Sequence, residues 1–132
     1  MNNIKNELII LFEQILNDRY EIALEIHRMT EELKSSFDRN DTASSDLILL
    51  MRSKEMEKYD IQNQQLERLC DELEEEQLYS LILYKENFET LSSEYGNLVK
   101  LSMRTKHVLS KAKDLDEQMS RRLAGNTSYY HN

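Results

Sequence analysis

Proline is absent from this chain of 132 residues, and glycine occurs only twice, at Gly96 and Gly125. Tight turns draw heavily on those two residue types, so folds assembled from many short strands are excluded: sandwiches, barrels and doubly wound sheets. The single cysteine, Cys70, allows no internal disulfide. Long apolar runs are missing as well. The two longest, Leu8 to Phe12 and Leu47 to Met51, are five residues each, against the roughly 20 needed to span a bilayer. Positive charge is scarce overall, with 17 Lys and Arg against 25 Asp and Glu and a net charge of −8. That balance repels the phosphate backbone and anionic lipid alike, so nucleic acid and membrane are disfavoured partners. The first residues, Met1 to Glu7, hold no basic segment leading into an apolar stretch, and a cytoplasmic location is expected.

What is present is helix-forming. Charged residues make up 32% of the chain and apolar residues 39%, and its long stretches are rich in Leu, Glu, Lys, Arg, Gln and Met, which lose little side-chain freedom in a helix. Apolar residues at Ile4, Leu8, Leu11 and Ile15, then at Ile22, Ile26, Met29, Leu33 and Phe37, follow the alternating spacing of one helix face. The register slips by one residue near Arg19. This predicts a first helix over 2–37, roughly 54 Å long. Residues 38–45, Asp-Arg-Asn-Asp-Thr-Ala-Ser-Ser, are seven-eighths polar and of the types that favour turns and helix N-caps, and predict a reversal into an antiparallel hairpin.

From Asp46 onward one heptad register carries Leu49, Met56, Tyr59, Leu66, Cys70, Leu73, Tyr84, Leu91, Leu98, Leu101, Val108, Ala112, Leu115 and Met119. Read literally this is a single helix of roughly 110 Å, whose uncovered half would need a second chain, making a structural or adaptor coiled coil that dimerises along its length. The compact reading folds the segment once more. Residues 71–77 carry five like charges within six positions, which repel along a helix, and 92–97 offers a second place. A break near 71–80 gives three long helices of similar length, with Gly96 inside the third. The expected fold is all-α: one antiparallel bundle over 1–125 and a disordered tail over 126–132, starting after Gly125, the residue type common just past a helix C-terminus.

Catalytic chemistry finds no foothold in the sequence. His27, His107 and His131 stand apart, with neither a Glu-x-x-His nor a His-Glu-x-x-His pattern for a metal. Two glycines cannot build a phosphate loop or a nucleophile elbow. Cys70 lies on the apolar register, where cysteine acts as a small hydrophobe, and the carboxylates of 72–76 read as a solvated face. No enzyme activity, cofactor or metal is expected. What remains is apolar surplus: Leu47, Ile48, Leu50, Met51, Leu78, Leu81, Ile82, Leu83, Val99, Met103 and Leu109 all lie off the main register, more than one stripe can bury. Such a surplus on a small helical protein points to binding of another polypeptide. Charge is also uneven, since residues 98–132 hold seven bases and three acids while the rest of the chain carries −12.

The stretch Tyr95-Gly-Asn-Leu-Val-Lys-Leu-Ser-Met-Arg-Thr-Lys-His-Val-Leu-Ser110 resembles the last helix of the FlgN family of flagellar export chaperones. The wider plan is similar too: a long first helix, a short polar turn, a second helix rich in Leu and Glu, a basic last helix and a tail with tyrosine. The resemblance implies a bacterial cytoplasmic chaperone without catalysis. It would bind an amphipathic helical segment of an unassembled hook-associated (junction) protein for type III export. It also implies client contacts on the last helix, at Leu98, Leu101, Met103, Val108, Leu109, Ala112, Leu115 and Met119. Of these, Met103 and Leu109 lie off the shared register and are the expected contacts, the other six being expected in the core. A homodimer is the other expected partnership.

Overall fold

The computed structural model describes residues 2–84 and 95–127, and the side chains of 3–84 and 95–122. It is an all-α bundle, and the described residues form four α-helices and no strand. Helix α1 spans Asn2–Asp38 and α2 Thr42–Leu73; a 3-10 turn at Glu76–Leu78 leads into the short α3, Tyr79–Leu83, and α4 spans Gly96–Thr127.

The reversal after α1 is tighter than the polar composition of 38–45 suggests. Asn40 takes the left-handed conformation at φ 55. Its amide donates to the Phe37 carbonyl at 3.0 Å and the Asp41 amide to the Ser36 carbonyl at 2.9 Å, the two bonds of a Schellman stop. Asp41 then caps α2, accepting from the Ser44 amide at 3.0 Å and the Ser44 hydroxyl at 2.6 Å. With the cap at Asp41, residues 42–45 are already helical, because Thr and Ser in a first turn are held by the cap rather than left to form a loop.

The end of α2 repeats the device with a less suitable residue. Glu74 sits at φ 56, ψ 31. The Glu74 amide donates to the Asp71 carbonyl at 3.3 Å and the Glu75 amide to the Cys70 carbonyl at 3.4 Å. This break falls inside the acidic run 71–77. Helix α3 in turn stops at Leu83, with Tyr84 left-handed at φ 52, and α4 starts at Gly96. The single 110 Å helix is therefore corrected, and so is the continuous third helix with Gly96 in its interior: Gly96 opens α4, and α3 is a separate five-residue piece. Gly125 is corrected as a helix stop, since α4 runs through it to Thr127; one glycine costs a helix only about 1 kcal/mol. Leu91 and residues 128–132 of the expected tail lie outside the described residues.

Helix α1 is the spine. It packs along its length against both α2 and α4, while α2 and α4 do not pack along each other. At the end nearest the N-terminus, Phe12, Ile15 and Leu16 meet Leu66, Leu69 and Cys70 of α2, Leu78, Leu81 and Ile82 around α3, and Tyr95, Leu98 and Val99 leading into α4. Toward the hairpin the core mixes large apolar side chains, Ile26, Met29, Leu33 and Met119, with small and polar ones, Ala23, Thr30, Ser36, Ser45, Thr105 and Ala112, all of them buried. The Ser36 and Ser45 hydroxyls share a hydrogen bond of 2.6 Å, and the Thr30 and Thr105 hydroxyls bond back to the carbonyls four residues earlier, so each buried hydroxyl is satisfied within its own seam.

Candidate partner-binding surface

The register slip in α1 marks a buried arginine. Arg19 is 0% exposed. Its Nη1 donates to Asn63 Oδ1 at 3.0 Å and the Ile82 carbonyl at 3.3 Å, and its Nη2 to the Leu81 carbonyl at 3.0 Å and Ser102 Oγ at 3.4 Å. The guanidinium also lies 5.0 Å from the ring centre of Tyr84 and 5.7 Å from that of Tyr59, whose hydroxyls meet at 2.7 Å. No carboxylate of the described residues comes within ion-pairing reach. Two α3 carbonyls, at the negative end of that short helix, and two ring faces stand in for a counterion, and Nε has no acceptor among the described residues. One side chain of α1 thereby ties α2, α3 and α4 together. Burial pushes the Tyr84 hydroxyl above the ordinary phenol range, with the Arg19 charge opposing.

A second bridge lies nearer the hairpin. Arg52 of α2 reaches Asp116 of α4 at 2.7 Å and the Thr30 hydroxyl of α1 at 3.1 Å. Beyond it Arg122 pairs with Asp38, at an open hollow lined by Phe37, Asp41, Ser45 and Met119.

The structure divides the eight residues expected on the last helix into three groups. Leu98, Ala112 and Met119 are buried, with Leu98 in the main core cluster, and offer a partner nothing in this arrangement. Leu101, Val108, Leu109 and Leu115 are half-buried. Met103 is 48% exposed. Of the off-register surplus, Leu78, Leu81, Ile82 and Val99 are consumed by the core, whereas Leu47, Leu50, Met51 and Leu83 are exposed.

The densest exposed apolar surface is on α2, not α4. Leu47, Leu49, Leu50, Met51 and Met56 are all exposed within its first fifteen residues. Leu49 and Met56, both on the heptad register read from the sequence, share a line of α2 with Asn63 and Cys70. Cys70 is buried, Asn63 is held by Arg19, and Leu49 and Met56 are each 40% exposed. Sequence periodicity finds the face but not what covers it; the covering element, α3, is too short to show a period of its own.

Cys70 and Tyr79 sit in contacts within the bundle. Cys70 is buried, and desolvation pushes its thiol up to about 12, with Asp71 and Glu67 adding to the rise. The Tyr79 hydroxyl donates to Asp71, which helps push it up to about 12. Among the described residues no three of His, Cys, Asp and Glu converge as a metal site, and no helix is long and apolar enough to cross a membrane. Comparison of the chain with known protein families, with curated proteins and with solved structures gives no match.

Proposed function

We propose that the chain is a non-catalytic, cytoplasmic chaperone for flagellar type III export, binding an unassembled hook-associated protein through an amphipathic helical segment. It holds the client in a monomeric state and presents it to the export machinery. The observation that supports this reading is the set of large apolar side chains on α2, Leu47, Leu49, Leu50, Met51 and Met56, with Met103 on α4, left exposed while Leu66, Leu69 and Cys70 of the same helix join the core. Large apolar side chains left exposed in such number on a small bundle mark a protein-binding surface, and methionine at three of these positions suits a surface that adapts to a helix.

Within the last helix, Met103 and Leu109 are the client contacts and Leu101, Val108 and Leu115 their half-buried support, while Leu98, Ala112 and Met119 hold α4 on α1. Pull-down of purified flagellar junction and cap proteins by the full chain tests the proposal. Capture of one of them, lost on Met103→Asp or Leu109→Asp with helicity retained, is the expected result. No capture of any axial protein overturns it.

A further inference from the structure

Two helices that both pack on a third but not on each other stand as diagonal members of a four-helix bundle. Here α1 occupies one of the other two corners. The remaining corner, between α2 and α4, is filled near the N-terminal end of α1 by α3 and its 3-10 turn, whose Leu78, Leu81 and Ile82 are buried. What α3 does for Cys70, no described residue does for Leu49 and Met56, three and two heptads earlier on the same line of α2. The facing line on α4 is Ser102, Leu109 and Asp116, also seven apart. Ser102 meets the α1 guanidinium of Arg19, which also holds Asn63 of α2, and Asp116 meets Arg52 of α2, so Leu109 lies between two links to α2.

We infer that this unfilled part of the fourth corner is a docking slot for one amphipathic helix of a partner protein, lying in line with α3. The inference rests on the chaperone reading for its partner and adds where the partner sits and which charges it carries. The exposed stretch of α2 from Thr42 to Met56 is about 22 Å long at 1.5 Å per residue, room for a helix of about 15 residues. Its rims differ in sign. Asp46 lies three residues before Leu49 and Asp60 four after Met56, which makes them neighbours of those side chains on the helix surface; Lys113 stands four after Leu109. All three are exposed. The matching occupant has an apolar stripe with Lys or Arg along the edge toward α2 and Glu or Asp along the edge toward α4.

The probe is a fluorescein-labelled synthetic helix of 16 residues with Leu at i, i+3, i+7 and i+10, Lys on one edge and Glu on the other. Titrated with the full chain, it is expected to bind with a rise in anisotropy. Leu49→Glu combined with Met56→Glu weakens binding at least tenfold, and Leu47→Glu, elsewhere around the same helix, leaves it within twofold. Should the double variant lose helicity by circular dichroism, Asp60→Lys with Lys113→Glu replaces it and weakens the probe at least fivefold. No binding of the probe, or equal binding by the slot variants, overturns the inference. An axial protein captured equally well by the slot variants removes the slot and leaves the chaperone reading standing; a probe that binds in the slot while no axial protein is captured does the reverse.

Discussion

Arg19 is the residue on which the most depends. Its fork satisfies two carbonyls of α3 that would otherwise end that helix without partners, and lysine can neither span the four acceptors nor stack on two rings. Arg19→Lys is expected to lower stability by about 2 kcal/mol, by analogy with other losses of buried hydrogen-bond networks, read from the midpoint of urea unfolding; a change below about 0.5 kcal/mol would contradict the role given to it. Cys70 supplies a second residue-scale prediction. A thiol buried under α3 and pushed up to about 12 carries almost no thiolate at neutral pH. Ellman's reagent should label it only as fast as the chain opens, and prompt stoichiometric labelling of the folded protein would show that α3 does not cover it. The register slip at Arg19 was visible in the sequence. That the slip meant a buried cation was not, because periodicity reports polarity and not the carbonyls and rings waiting in space.

At the scale of elements, both reversals along α2 are stops of one kind with different residues in the left-handed position. Asn40 tolerates that conformation through its short side chain, whereas a glutamate pays roughly 1 kcal/mol for the close approach of its Cβ to the carbonyl. Glu74→Gly is therefore expected to stabilise the protein by about 1 kcal/mol and to leave the helix content unchanged. Destabilisation would mean that α2 does not end there in solution. The opposite cap responds to acid. Asp41 is held below the ordinary carboxylate range by hydrogen bonds from the Ser44 side chain and amide, and Asp38 likewise by Arg122. Because the folded form binds the proton less well than the unfolded form, their stabilisation is complete above the unfolded pKa of about 4 and is lost as pH falls through the folded value. Urea midpoints should hold from pH 7 to 5 and decline below pH 4, with Asp41→Ala flattening part of that decline. Of these elements, α1 and the hairpin were legible because their stripes run for many turns. The polar run 38–45 was read as loop since Ser and Thr serve caps and loops alike, and α3 was missed because five residues cannot display a 3.6 period.

Among the described residues, the bundle has no helix between α2 and α4 beyond the short α3. Helix α1, at 37 residues, sets its long dimension, and small-angle scattering should give a maximum of roughly 60 Å, against the roughly 110 Å of an uninterrupted helix from Asp46 to Leu123. The composition made an all-α bundle legible from the lack of proline and glycine alone. The surplus of apolar side chains is legible too, but its location is not: Leu78, Leu81, Ile82 and Val99 go into the core around α3, and the exposed ones concentrate on α2, whereas charge and the family resemblance point to the basic last helix. Hydrogen–deuterium exchange on the full chain, alone and with purified flagellar junction and cap proteins, tests the central claim most directly. The account predicts that one of these proteins slows exchange in α2 between Thr42 and Ile61 and in α4 around Met103 to Asp116; exchange in both segments left unchanged by every axial protein would contradict it.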